Sequence, residues 1–291
     1  MFSQLLINGI IAGAIYALIA SGFSLIYSTN RFVHFAHGTV SIFGGYLLYW
    51  FYSLLGLDFW LAALFSVAST ALIGYLLNKI VYSSLRKRKS SPSILLIASV
   101  GIMILIEALM LFLFGADVKT IGLIPVSKGL MLFGAFITPL QVAIVATSAI
   151  LFIALYLLMN KTKVGKAMRA VSDNKDVAEI VGISAEKIYS WSFIFGSAIA
   201  GVAGILISLE QNLEPTMGTA LMVKGFAGAI IGGVGSVPGA IVGSLFLGLA
   251  ENFGIWYLPS GYKDAIAFLV LFIFLLFKPN GIFNSGKRVN G

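Results

Sequence analysis

Between Lys161 and Ser190 the chain reads K-T-K-V-G-K-A-M-R-A-V-S-D-N-K-D-V-A-E-I-V-G-I-S-A-E-K-I-Y-S, the one long polar interval in a sequence otherwise built from apolar runs. Ala167, Met168, Val171, Val177, Ala178, Ile180 and Val181 fall largely where a short amphipathic helix would place them, among Lys, Arg, Asp and Glu. Gly182 can turn left-handed without steric cost and so end a helix. Two short helices joined by that glycine are expected. They would lie on lipid, stand as a solvated loop, or dock a cytoplasmic partner.

The flanks decide the class. The chain is 59% hydrophobic and only 10% charged, against about a quarter charged in soluble domains, and its mean hydropathy is +1.00. Several apolar runs reach the roughly 20 residues that carry a helix across a hydrocarbon core. They are continuous rather than alternating, which points to helical spans and not to a barrel. The formal charge of +8 sits in basic clusters between the runs, the positive-inside pattern rather than a nucleic-acid surface. There is no cysteine, so disulfides and thiol ligands are excluded and the redox compartment is left open. The opening M-F-S-Q-L-L-I-N-G lacks a basic n-region and continues too long for a signal peptide, so the first helix is expected to stay.

In chain order, a first span is expected over about Gln4–Tyr27, with Gly9 and Gly13 as a packing face. A second run, about Thr39–Leu55, is interrupted by Gly44 and Gly45 and reads as a broken or short helix. The third, about Phe59–Tyr82, ends in Arg86, Lys87, Arg88 and Lys89, which marks that loop as cytoplasmic. A fourth span, about Ile94–Phe114, exits to the far side. An outer loop with a shallow apolar piece follows, carrying Pro125 and Lys128. A fifth span, about Leu140–Met159, returns to Lys161, so two basic clusters fall on one side. The sixth runs over about Trp191–Leu209, and the acidic turn after it holds Glu210 and Glu214. The glycines from Gly225 to Gly243, with Pro238, are incompatible with one uninterrupted helix. A half-helix, a break near Gly235–Pro238 and a seventh span to about Ile255 are expected, then an eighth over about Ala265–Phe277. If Val223–Gly235 crosses, the tail with Lys278, Lys287 and Arg288 is cytoplasmic and the N-terminus lies outside, the arrangement the basic residues favour over a re-entrant loop. The expectation is therefore one all-α integral membrane domain over residues 1–291, with about eight transmembrane helices, a glycine-rich broken or half-helix and a cytoplasmic coupling helix.

Enzyme and nucleotide signatures fail. Gly281–Arg288, G-I-F-N-S-G-K-R, has Arg where a phosphate-binding loop needs Ser or Thr, and no strand precedes it. No G-x-S-x-G or H-E-x-x-H occurs, so no catalytic residue and no cofactor is expected. His34 and His37 share a helical spacing, but no Cys or carboxylate lies nearby to complete a metal site. Glu107 and Glu251 fall within apolar spans, where an ionisable group is costly and points to function.

Four stretches together resemble the permeases of branched-chain amino acid ABC importers, the LivH/LivM family: Asn8–Gly22 (N-G-I-I-A-G-A-I-Y-A-L-I-A-S-G), Phe35–Thr39 (F-A-H-G-T), Gly165–Ser184 with the F-I-F-G-S-A-I-A-G-V-A-G-I-L that begins at Phe193, and Lys224–Gly243. They cover almost the whole chain. The resemblance implies a bacterial inner-membrane subunit that pairs with a second permease, homologous or identical. It further implies two separate ATPase subunits, an extracytoplasmic binding protein that delivers an amino acid, and no nucleic acid. It places ATPase coupling at Arg169, Asp176, Val177, Ala178 and Gly182, similar to an E-A-A-x-x-x-G motif, with Asp for Glu, Val for the first Ala, and the later I-x-L-P portion absent. His37, Glu107 and Glu251 become candidates for the translocation path. The same machinery carrying urea or another small polar solute, and an ion-coupled secondary transporter, are the alternatives.

Overall fold

The computed structural model describes residues 1–123, 129–132 and 134–283; Pro125, Lys128, Lys287 and Arg288 lie outside them. Among the described residues twelve α-helices and one hairpin follow in order: α1 Phe2–Asn30, α2 Ala36–Leu48, α3 Phe59–Leu76, α4 Ser83–Lys87, α5 Pro92–Phe114, β1 Leu130–Leu132, β2 Ala135–Ile137, α6 Pro139–Lys161, α7 Lys163–Asp173, α8 Lys175–Ile180, α9 Ala185–Glu210, α10 Met217–Gly232, α11 Val237–Gly254 and α12 Lys263–Phe277. The segments Tyr49–Leu54 and Leu77–Tyr82 continue α2 and α3 as π-helical turns, so that α3 and α4 form one rod from Phe59 to Lys87. Among the described residues seven helices are long and apolar enough to cross a membrane, and α10 is a shorter apolar one.

Local chemistry sets the starts. Asp58 accepts a hydrogen bond from the Trp60 N–H and opens α3. Thr138 and Gln141 cap each other in a capping box that opens α6. Ser236 accepts from the Gly239 N–H at the head of α11, with Pro238 in the first turn. Between α10 and α11 the chain turns at Gly233 and Gly235, whose φ values are 110° and 89°, a conformation that L side chains rarely adopt.

Packing places α1 at the centre. It is buried along most of its length, whereas α3, α5, α6 and α12 present large apolar side chains such as Leu64, Ile97, Ile153 and Phe272 outward. Lipid solvates such a surface, so association inside the bundle rests on close fit rather than on escape from water. A Cβ on Gly204 of α9 would stand 1.8 Å from the carbonyl oxygen of Ser41 on α2, and one on Gly248 of α11 would stand 2.4 Å from the backbone N of Gly13. At Gly44 and Gly45 the structure corrects the expected interruption. The α2 helix passes through both without a break, and they seat it against Gly201 and Gly204 of α9. The shallow apolar piece of the outer loop is a two-stranded antiparallel hairpin pairing Leu130 with Ile137 and Met131 with Phe136, turned at Gly134 with φ 77°.

The two ends of the bundle differ. At one end Arg86 binds Glu186 at 3.0 Å and also donates to Asn30 and Asn78, while Arg31 donates to the Ser172 carbonyl of α7. At the other, the rings of Phe2 and Phe253 meet 5.3 Å apart, Gln4 bonds to the Phe136 backbone, and Lys119 exchanges backbone hydrogen bonds with Leu213. The α10 helix runs to the basic end, where Gly235 lies against Tyr27 and Ser28. The α11 helix returns, and α12 comes back so that the Ile282 and Phe283 N–H groups donate to the carbonyls of Ile231 and Gly232. Val223–Gly235 thus reaches the basic end, and residues 282 and 283 finish there, opposite Phe2.

Gly204→Ala is expected to destabilise the detergent-purified protein by on the order of 1–3 kcal/mol through overpacking, read as a lower thermal midpoint. Gly101, which has open space around its Cβ position, is the control. Gly101→Ala leaves the midpoint unchanged or raised, and equal midpoints for the two variants would contradict the packing role assigned to Gly204.

Candidate functional site

At the basic end Thr162 caps α7 by accepting from the Gly165 N–H, and Met168 and Val171 turn inward. Asn174 then caps α8, accepting from the Val177 N–H at 3.1 Å, with Asp176 in the first turn, where a negative charge suits the helix dipole. The helix ends in a Schellman turn, in which the Gly182 N–H donates to the Glu179 carbonyl and the Ile183 N–H to the Ala178 carbonyl. Gly182 has φ 86°, as that turn requires. Ala178 is buried on the inner face of α8, while Val177, Ile180 and Val181 are 55%, 83% and 68% exposed. Three large apolar side chains beside Asp176 therefore stand out from the basic end.

Among the residues expected to couple to an ATPase, Asp176, Val177 and Gly182 lie on the outer side of α8, and Ala178 lies on its inner side. Arg169 reaches back to the last turn of α6, donating to the Met159 carbonyl and, at 3.1 Å, to Asn160 Oδ1. There its charge suits the negative end of the helix. Ile180 and Val181 are the largest exposed contributors, and in the sequence they read only as part of the apolar stripe.

Deeper in the bundle the Glu251 side chain is fully buried. Its Oε2 accepts from the Tyr16 hydroxyl at 2.8 Å and lies 3.7 Å from Lys224 Nζ. Lys224 also donates to the Tyr16 hydroxyl at 3.3 Å and pairs with Asp264 at 2.8 Å. Four helices, α1, α10, α11 and α12, each supply one member. The signal for Lys224 was its charge inside an apolar, glycine-rich run; Tyr16 carried none. His37 is fully buried where α1, α2 and α9 cross, its Nε2 2.8 Å from the Cβ position of Gly22. His34 Nδ1 meets the Tyr82 hydroxyl at 2.9 Å. Among the described residues no group of three or more His, Cys, Asp or Glu is placed to hold a metal ion. Glu107 is half-buried on α5. No hydrogen bond or ion pair joins His37, Glu107 and Glu251 to one another among the described residues, so the three sit apart on α2, α5 and α11.

The family model described as "Branched-chain amino acid transport system / permease component" matches residues 5–275. The chain belongs to this permease family. BraD of Pseudomonas aeruginosa, a high-affinity branched-chain amino acid transport system permease protein, is 33% identical over 97% of this chain and 95% of its own length. LivH of Escherichia coli, described in the same words, is 31% identical over the same shares. Among solved structures, a chain of PsaBC from Streptococcus pneumoniae in complex with Fab aligns with a TM-score of 0.52 at 14% identity, covering 95% of this permease and 93% of that chain, which shows a shared fold. This permease is thus a multi-pass membrane protein of helical-bundle architecture.

Removing Lys224 takes from the buried Glu251 carboxylate the one cation in direct contact with it among the described residues. Lys224→Met is expected to cost about 3–5 kcal/mol, read as a lower thermal midpoint in detergent. Pairing it with Glu251→Gln recovers most of that loss. A double variant as unstable as the single one would show that the charges are not coupled.

Proposed function

We propose that this permease is the membrane subunit of an ABC importer that moves branched-chain or other hydrophobic amino acids across the bacterial inner membrane. Its energy comes from two separate ATPase subunits and its substrate from an extracytoplasmic binding protein. The observation that carries the ATPase assignment is α8, a six-residue helix capped at both ends whose exposed face is Val177, Ile180 and Val181. A large apolar cluster on the water-facing end of a membrane protein is costly unless a partner covers it. Asp176 and Gly182 serve that contact, Gly182 by shaping the end of the helix. Ala178 and Arg169 hold α8 and α7 against the bundle from behind.

In this reading eight long helices cross, α2 with its π-helical extension being the eighth, and the shorter α10 with the segment before it makes a ninth traverse, so that Phe2 and residues 282 and 283 fall on opposite sides. The basic end is cytoplasmic and Phe2 lies outside. Glu107 supports the pairing with a second permease. Its carboxylate stands half-buried on a helix otherwise clothed in Ile104, Leu105 and Phe112, and a carboxylate facing lipid is expensive, so this side of α5 meets the second subunit along the translocation path. His37 sits at the crossing of three helices whose relative motion opens and closes that path. An ion-coupled carrier finds weaker support, because Glu251 is held by Tyr16 and Lys224 rather than left as a lone proton acceptor.

Ile180→Asp adds a charge to the exposed apolar face and touches nothing beneath it. In pull-downs from the native membrane it is expected to lose the ATPase subunits while the second permease and the thermal midpoint are retained. Undiminished recovery of the ATPases would overturn the assignment of α8.

A further inference from the structure

At the end of the bundle opposite the basic loops, a cavity of about 240 Å³ opens between α1, α6, α9, α11 and the head of α12. One wall is aliphatic, formed by Ile11, Ala12 and Ile15 of α1, and the rest carries Glu210, Lys263 and the amides Gln141 and Asn252. Glu210 and Lys263 are both half-buried, yet neither takes part in an ion pair among the described residues. Two opposite charges thus line one cavity without forming an ion pair with each other, and Glu210 is met there by an amide rather than by a cation.

Their positions deepen the anomaly. Glu210 is the last residue of α9 and Lys263 the first of α12. A carboxylate at a helix C-terminus and an ammonium at a helix N-terminus both oppose the helix dipole, at a cost of about 0.3–1 kcal/mol each. A ligand ammonium beside Glu210, and a ligand carboxylate beside Lys263, reverse both penalties at once. Glu210 is held ready for this. Gln141, locked in the capping box of α6, donates to Glu210 Oε1 at 2.9 Å, which aims the carboxylate and leaves its other oxygen for a ligand.

We infer that this cavity is the permease's own receiving site for a free, zwitterionic amino acid with an aliphatic side chain. Glu210 takes the α-ammonium, Lys263 the α-carboxylate, and Ile11 and Ile15 the side chain. The site rests on the importer reading for its place in transport, and it narrows the substrate. A cation is repelled by Lys263 and an anion by Glu210, and urea can hydrogen-bond to both but brings no charge of its own to pair with either. The volume lies just below the roughly 300–1,000 Å³ of drug-sized sites, in keeping with a single amino acid.

The chain has no cysteine, so a single Ala12→Cys variant reports occupancy of the aliphatic wall. In the complete transporter, reconstituted in nanodiscs, the rate of maleimide labelling is measured with leucine, with isoamylamine, which lacks the carboxylate, and with isocaproate, which lacks the ammonium. Leucine is expected to slow labelling and the two half-molecules are not. Adding Glu210→Gln, which keeps the bond from Gln141, or Lys263→Gln raises the leucine concentration needed for half-protection by on the order of tenfold or more. Equal protection by either half-molecule, or protection that survives both substitutions, overturns the inference. ATP-driven leucine uptake in proteoliposomes, measured alongside, separates the two readings. Uptake without protection removes the cavity and leaves the importer, whereas protection without ATP-driven uptake upholds the cavity and removes the importer.

Discussion

The contact on which the bundle depends is backbone against backbone at the glycines of α1, α2, α9 and α11. In hydrocarbon, apolar side chains gain nothing by leaving lipid, so helices adhere by dispersion and fit. Gly9 and Gly13 on α1 lie against Leu249 and Leu245 of α11, and Gly22 lies against Gly196 of α9. A methyl group at any of these positions would push two helices apart and take with it the alignment of everything carried on them. The buried α1 helix is thereby a fixed axle with α9, α10 and α11 around it, and the exposed α3, α5 and α6 lie outside that core.

Charge inside the bundle follows the same economy. Tyr16, Glu251, Lys224 and Asp264 come from four helices and meet through bonds of 2.8–3.7 Å. The cost of burying Glu251 is offset only if all four helices keep their register, so the cluster specifies one arrangement of α10, α11 and α12 on α1 rather than merely adding stability. The α12 helix has little buried surface of its own, and its Asp264 ties it to Lys224.

What was legible in the sequence follows from which physics acts locally. Apolar run length and basic clusters act over one or two turns, and the first, fourth and fifth spans were read to within a few residues of α1, α5 and α6; the third began with α3, which runs on through α4 to Lys87, and the sixth ended with α9, which begins earlier, at Ala185, inside the polar interval. Gly182 was read as a helix end joining two short helices; it is the left-handed residue of a Schellman turn that ends α8, but the two short helices meet at Asn174, whose side chain caps α8, and Gly182 leads on into α9. Gly44 and Gly45 misled because glycine lowers helix propensity locally, while the close approach to α9 that compensates for it is a tertiary fact. The partners of Glu251 were invisible for the same reason. Tyr16 lies 235 positions away, and nothing in a tyrosine among alanines and isoleucines announces a hydroxyl aimed at a carboxylate. Glu210 likewise read as part of an acidic turn until the fold brought the end of α9 beside the start of α12.

The wiring of α7 and α8 links the two ends of the molecule. Arg31 joins α7 to the end of α1, Arg169 joins α7 to the end of α6, and the Schellman turn after α8 leads within two residues into α9. A displacement applied to the exposed face of α8 is therefore delivered to α1, α6 and α9 together. Those three helices also supply Ile11 and Ile15, Gln141 and Glu210 to the outer cavity. Helices of 23 to 29 residues are stiff over their length, and packed interfaces hold discrete arrangements rather than deforming continuously. A tilt of α6 against α9 at the basic end would change the separation of Gln141 and Glu210 at the other, where one hydrogen bond of 2.9 Å sets the aim of the carboxylate. The coupling needs no chain of side-chain rearrangements through the core, only three rods gripped at one end by the same pair of short helices.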